Sequence, residues 1–111
     1  MSSDVTLETM QIIAFAGDAR SDFLEAVRCA GRGDKEKAKQ LIEEGKNKIL
    51  EAHHFQTDLI QRECGGERLD INFLSIHGQD HLMTALVIKD LSQCILDLYQ
   101  RIEILEEKKN D

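Results

Sequence analysis

Apolar residues recur along this chain at intervals of three and four, in three long runs separated by two short glycine-bearing breaks, and the spacing predicts three helices, over about residues 5–31, 35–63 and 73–106. In the first run Ile12, Ala16, Ala19, Phe23, Ala26, Val27 and Ala30 share one face, and its alanines allow close approach by another helix. Ile13, Phe15 and Leu24 widen that arc, which suggests a second surface to cover. Asp4 or Thr6 can cap the start. Gly31-Arg32-Gly33-Asp34 then supplies a glycine stop, a tight turn and an aspartate N-cap. The second run places Ala38, Leu41, Ile42, Gly45, Ile49, Ala52, Leu59 and Ile60 on an inner face, together with His53 and Gln56, while His54 points away. His53 reads as a hydrogen-bonded core or interface histidine. Cys64-Gly65-Gly66-Glu67 ends this helix, and residues up to Ile71 cross as a loop to a third helix that Asn72 or Ser75 can cap.

The third run changes character along its length. Thr84, Ile88, Leu91, Ile95, Leu98 and Ile102 form an apolar stripe within about 60° of its centre, and the same stripe run backwards meets His81, Asp80 and His77. Imidazole and carboxylate are costly to bury unless paired, so a packing seam that turns polar over two turns is the strongest chemical signal in the chain. The tail from Glu106 to Asp111 is expected to fray.

Loops this short make the helices antiparallel neighbours, an all-α up-down-up bundle forming a single domain over residues 1–111. A rod of three long helices has much surface for its volume, and the wide apolar arc of the first helix exceeds what two neighbours cover; a homo-oligomer is expected. Composition agrees with helix: the chain has 0 prolines, 5% aromatic and 32% charged residues. Its formal net charge of −7 excludes a nucleic-acid binder and suits a basic protein partner. Without a signal peptide or an apolar run of spanning length, the expected location is cytoplasmic, with no direct membrane insertion. Cys29, Cys64 and Cys94 are too widely spaced for a metal motif and are read as free thiols.

His77 and His81 stand one turn apart on one face, with Asp80 beside them. Four uses of that pattern remain open on spacing alone. Two histidines and a carboxylate make a zinc half-site, although Gly78 stands where the glutamate of a His-Glu-x-x-His motif belongs. A histidine pair can serve as general acid and base, for which so slim a bundle offers no evident substrate pocket. A neutral imidazole can accept a phosphoryl group, held by the second ring, by the Gln79 amide and by the positive end of the helix, with Gly78 leaving room for a partner's backbone. The pair can also be structural.

A resemblance bears on the choice. Gln11-Ile12-Ile13, Gly17-Asp18-Ala19-Arg20, Gly33-Asp34, the run from Glu51 to Gln61, and above all His77-Gly78-Gln79-Asp80-His81-Leu82-Met83-Thr84-Ala85 are similar in order and spacing to the enzyme IIA component of the lactose/cellobiose (N,N'-diacetylchitobiose) branch of the sugar phosphotransferase system. The likeness runs from Glu8 to Leu105; Met1 to Asp4 lies outside it, and Gly78 stands where Ala or Ser is expected. The resemblance implies a trimer of three-helix subunits, a nine-helix bundle. It implies that His77 accepts a phosphoryl group from HPr and passes it to a cysteine of enzyme IIB, serving sugar uptake through the membrane component IIC. It makes His81 a hydrogen-bond donor to the phosphoryl oxygens and Gln79 a polar neighbour of the site. Asp80 is implied to lie near a threefold axis, where three copies gather round a divalent cation, Mg2+ by expectation. A signalling phosphotransfer domain, which usually places a lysine soon after its histidine, fits less well, since the nearest downstream lysine is Lys89. A non-catalytic metal-binding or scaffold bundle is the remaining alternative.

Overall fold

The computed structural model describes residues 2–110. Three antiparallel helices form an up-down-up rod of 70 × 20 × 20 Å: α1 (Thr6–Gly31), α2 (Lys35–Cys64) and α3 (Phe73–Asn110). The part of the expected frayed tail that is described, Glu106 to Asn110, is instead helical, as the run of good helix formers there favours; Asp111 lies outside the described residues.

Both connections carry their own chemistry. Gly33 and Gly66 have φ of 85° and 98°, the left-handed region that closes a helix end. Asp34 N–H donates to Cys29 O at 2.9 Å and Glu67 N–H to Arg62 O at 3.1 Å, the six-to-one bonds of a Schellman stop. The Asp34 carboxylate then accepts from Lys37 N–H and opens α2. At the chain start the Asp4 carboxylate accepts from Thr6 N–H at 2.8 Å. Ser3 also bridges to the second loop, donating to Arg68 O and accepting from Asp70 N–H at 2.9 Å.

α1 lies between the other two along the rod; α2 and α3 touch each other little. Ile12, Ala16, Ala19, Phe23, Ala26 and Cys29 of α1 are fully buried. Ala38, Ile42, Ile49, Ala52 and Leu59 of α2 meet them from one side, and Leu82 and Ala85 of α3 from the other. The wide arc on α1 is therefore largely used inside the chain. Because α2 packs mainly on one neighbour, its buried arc is narrow, and two residues expected on its inner face lie outside it: His53 is exposed and Ile60 is 53% exposed, while Leu41 is half-buried and packs against the core.

The larger correction concerns α3. The stripe centred on Thr84, Ile88, Leu91, Ile95, Leu98 and Ile102 is not the seam with α1. Leu91 and Leu98 are 55% and 57% exposed, and Val87 and Met83 beside them are also open. The buried face is about 120° round the helix and runs through Gly78, Leu82, Ala85 and Ser92. Gly78 and Ala85 let α1 come close on either side of the buried Leu82, and the bulky Met83, Val87, Leu91 and Leu98 are left outside. The uncovered apolar surface belongs mainly to α3.

Close approach is tightest at Gly45 and Gly78. A Cβ at Gly45 would lie 2.6 Å from Phe23 Cε1, and one at Gly78 would lie 2.8 Å from Thr9 Cγ2. The Phe23 ring is fully buried and has nowhere to go. Gly45→Ala should therefore destabilise the bundle by about 1–3 kcal/mol through overpacking, despite roughly 1 kcal/mol of gained helix propensity; denaturant melts of the two proteins measure it.

Candidate functional site

The site grows from the way α3 begins. Asn72 and Ser75 form a reciprocal cap: the Asn72 side-chain oxygen accepts from Ser75 N–H at 3.0 Å and the Ser75 hydroxyl oxygen accepts from Asn72 N–H at 2.8 Å. Arg62 braces the preceding loop, reaching Glu67 at 2.6 Å and Glu8 and Asp58 at longer range. The Arg62 guanidinium beside Glu67 holds that carboxyl below the usual carboxylate range. With the first turn fixed in this way, His77 falls in the second turn, on the open surface.

His77 and His81 are brought together as the spacing predicts. Their Nε2 atoms are 3.0 Å apart, with ring centroids 4.5 Å apart and planes at 88°. One ring must donate and the other accept, so in the neutral pair one imidazole carries its proton on Nε2 and its partner on Nδ1. His77 is exposed and His81 half-buried, so the pair is reached from outside. Just beyond it, the Thr84 hydroxyl donates to Asp80 O at 2.8 Å and to His81 O at 3.2 Å, keeping its polarity within the helix.

Asp80 projects from the uncovered face of α3, where its carboxylate has no hydrogen-bond or ion-pair partner among the described residues. Within the described residues of one chain there is no cluster of three or more His, Cys, Asp or Glu side chains able to hold a metal. Gln79 turns the other way: its side-chain oxygen accepts from Gln56 Nε2 at 2.7 Å, tying α3 to α2 about 160° round the helix from His77. Gly78 does not hold space open for a partner. α1 fills that space with Thr9 of the same chain. Sequence reading had placed Gln56 on an inner face of α2, and both glutamines lie in the similar runs, but their mutual bond needed the fold. The contact between Thr9 and Gly78 carried no signal beyond the glycine itself.

Comparison with known proteins settles the family. The sequence model of the family described as PTS system, Lactose/Cellobiose specific IIA subunit matches residues 7–100. The chain belongs to this family. A relative named PTS system lactose-specific EIIA component, from Staphylococcus aureus (strain N315), is 50% identical over 98 residues, covering 88% of this chain and 95% of its own. The lichenan-specific phosphotransferase enzyme IIA component of Bacillus subtilis (strain 168) is 39% identical over 102 residues, 92% of this chain and 93% of its own. The crystal structure of the PTS cellobiose-specific enzyme IIA from Bacillus anthracis superposes with a TM-score of 0.89 at 41% identity, covering 94% of this chain and 95% of that one. The IIA(Chitobiose)–HPr complex of the Escherichia coli phosphotransferase system gives a TM-score of 0.76 at 26% identity, with 92% and 99% covered.

As a IIA component of the phosphotransferase system, the chain is a phosphotransferase component in sugar transport, built as a three-helix bundle. No helix among its described residues is long and apolar enough to cross a membrane. In this IIA chain Gly78, which follows His77 directly, is a point of close approach between α3 and α1. Gly78→Ala pushes α3 against Thr9 Cγ2, and Thr9→Ser removes that methyl while keeping the hydroxyl. A double-mutant cycle on stability should show a favourable coupling of about 1 kcal/mol or more between the two substitutions.

Proposed function

We propose that the chain is a phosphocarrier: His77 accepts a phosphoryl group from the phosphohistidine of HPr and passes it to a cysteine of enzyme IIB, for uptake of a sugar of the lactose, cellobiose or chitobiose type. The observation that carries this reading is the 3.0 Å Nε2–Nε2 pairing of His77 and His81 on open surface, in a chain of this family. The solved complex of a related IIA with HPr supports the first partner.

The nucleophile needs a bare nitrogen, so His77 carries its proton on Nδ1 and His81 presents Nε2–H to it. Attack by the His77 lone pair forms an N–P bond as the N–P bond of the donor breaks. The His81 N–H is thereby released from His77 and turns to a phosphoryl oxygen, a charge-assisted bond. On delivery, a thiolate forms an S–P bond as the His77 N–P bond breaks, and the imidazole pair re-forms. His77 lies beyond the first turn of α3, where the helix dipole has fallen off, so His81 does most of the holding. Gln79 is a polar neighbour engaged with α2.

The assembly belongs to the same proposal. Three chains join through the uncovered apolar stripe of α3 to make a homotrimer, which gathers three copies of Asp80. The residues fit a divalent cation there: Asp80 is exposed, lacks a partner within its chain, and offers a hard oxygen donor suited to Mg2+. When bound, the cation neutralises carboxylates that would otherwise repel one another.

Intact-protein mass after mixing with phosphoenolpyruvate, enzyme I and HPr tests the chemistry. One acid-labile phosphoryl group per chain is expected, absent in His77→Ala; His81→Ala should accept it about 10–100-fold more slowly, the worth of a charged hydrogen bond. No added mass on the folded wild-type chain would remove the proposal. Asp80→Leu should keep or strengthen the trimer in sedimentation, because an apolar cluster replaces the carboxylates; monomers would contradict the assembly.

A further inference from the structure

Before α1 begins, the chain runs as a strap beside the segment that leads into α3. Ser3 lies against Leu69 in the manner of parallel strands: its N–H donates to Arg68 O at 2.6 Å, and its carbonyl accepts from Asp70 N–H at 2.9 Å. Asp4 turns the strap into α1 through its bond to Thr6 N–H, and the Val5 carbonyl accepts from Thr9 N–H at 2.9 Å. Val5 is buried beside a groove of about 250 Å³ between α2 and α3, which Ile60, Leu69, Ile71, Ser75 and Ile76 also line. Four residues on, Thr9 meets Gly78. From Ser3 to Thr9 the strap and α1 thus follow residues 68–78, as far as the residue after His77.

Little else holds that stretch. Ile71, Phe73 and Ile76 are 66%, 92% and 50% exposed, and His77 is on open surface. Between Asp70 and Gly78 only Leu74 and Ser75 are half-buried, and α2 touches α3 little. Gly78 is itself a poor helix former. A segment with so few buried contacts opens locally well below the free energy of global unfolding, so each fixed bond there counts for more than in the core.

We infer that residues 2–5 are a positioning segment for the transfer site: by clamping the loop between α2 and α3 they keep the first turns of α3 wound, and so keep the His77 and His81 rings within reach of each other. The inference rests on the phosphocarrier reading for the step it serves, and on the pairing of Ser3 with the loop for the clamp itself. The hydrogen bonds of Ser3 go to the loop, so the segment acts through the helix. His77 meets His81 one turn on only while the turn between them is wound.

The test compares the full chain with Ser3→Pro, which removes the N–H that bonds Arg68 O, with a variant lacking residues 2–4, which removes both bonds, and with Ser3→Ala, which keeps both. Amide hydrogen exchange is read along the chain, and acceptance of the phosphoryl group from saturating phosphorylated HPr is timed in a single turnover. At Asp70 and from Ile76 to His81, exchange is expected to speed up about threefold or more in Ser3→Pro and about tenfold or more in the deletion, with exchange from Ile42 to Ala52 of α2 unchanged. Acceptance should slow in the same order, by about twofold or more in the deletion, and Ser3→Ala should match the full chain throughout. Unchanged exchange at Asp70 and the first turns of α3 in the deletion overturns the inference, as does equal acceleration in all three helices, which shows a general loss of stability. Faster exchange with undiminished acceptance overturns the positioning role. If exchange changes as expected while the full chain itself takes no phosphoryl group, the clamp stands and the phosphocarrier reading is the one that fails.

Discussion

Close approach of helices through small side chains is the constraint on which the rest of this molecule depends. α1 packs along both of its neighbours, and many residues at those seams are short: Ala16, Ala19 and Ala26 on α1, Gly45 and Ala52 on α2, Gly78, Ala85 and Ser92 on α3. Opposite Phe23, a large residue in the seam, stands Gly45. A core of this kind gains little from any one side chain and depends on continuous contact along the rod. Ion pairs join the helices at separate points along it, Lys48 with Asp22 across α1 and α2, and Lys35 with Glu103 across α2 and α3. The carboxylate beside Lys48 raises that ammonium above the ordinary lysine value, which favours its charged form.

The same constraint decides what the surface of α3 looks like. Since Gly78, Ala85 and Ser92 share the inward face with Leu82, most bulky apolar residues of that helix occupy another face, and the histidines and Asp80 sit on or beside the polar end of that outward stripe. A functional group on an outward face needs no cleft of its own. It needs a fixed backbone, supplied by the Asn72–Ser75 cap and by the contact of Gly78 with Thr9, and a second ring at hydrogen-bond distance. Phosphoryl transfer between proteins suits such a surface, because the incoming protein completes the enclosure.

Division of labour follows from that openness. On one side of α3 two imidazoles share a hydrogen bond; on the other, Gln79 is tied to Gln56 and the α2–α3 groove opens beside three isoleucines. The imidazole pair and the Gln79–Gln56 tie thus lie on nearly opposite sides of one helix, and movement of α3 would displace both.

Much was legible in the sequence because it is local. Helix spans follow from periodicity and the absence of proline, the turns from Gly33, Asp34 and Gly66, the cap from Asn72 and Ser75, and the pairing of His77 with His81 from a spacing of four on one helix. Family membership followed from runs of consecutive residues, which need no fold to be compared. What the tertiary structure alone decided is which face of each helix goes inward. Periodicity finds the most apolar stripe, yet burial on α3 was set by how near α1 comes, and there Gly78 and Ala85 fit where Leu91 and Leu98 do not. His53 and Ile60 fell outside the α2 seam for a related reason: the width of a buried arc depends on how many helices touch it, which the residues of that helix do not encode.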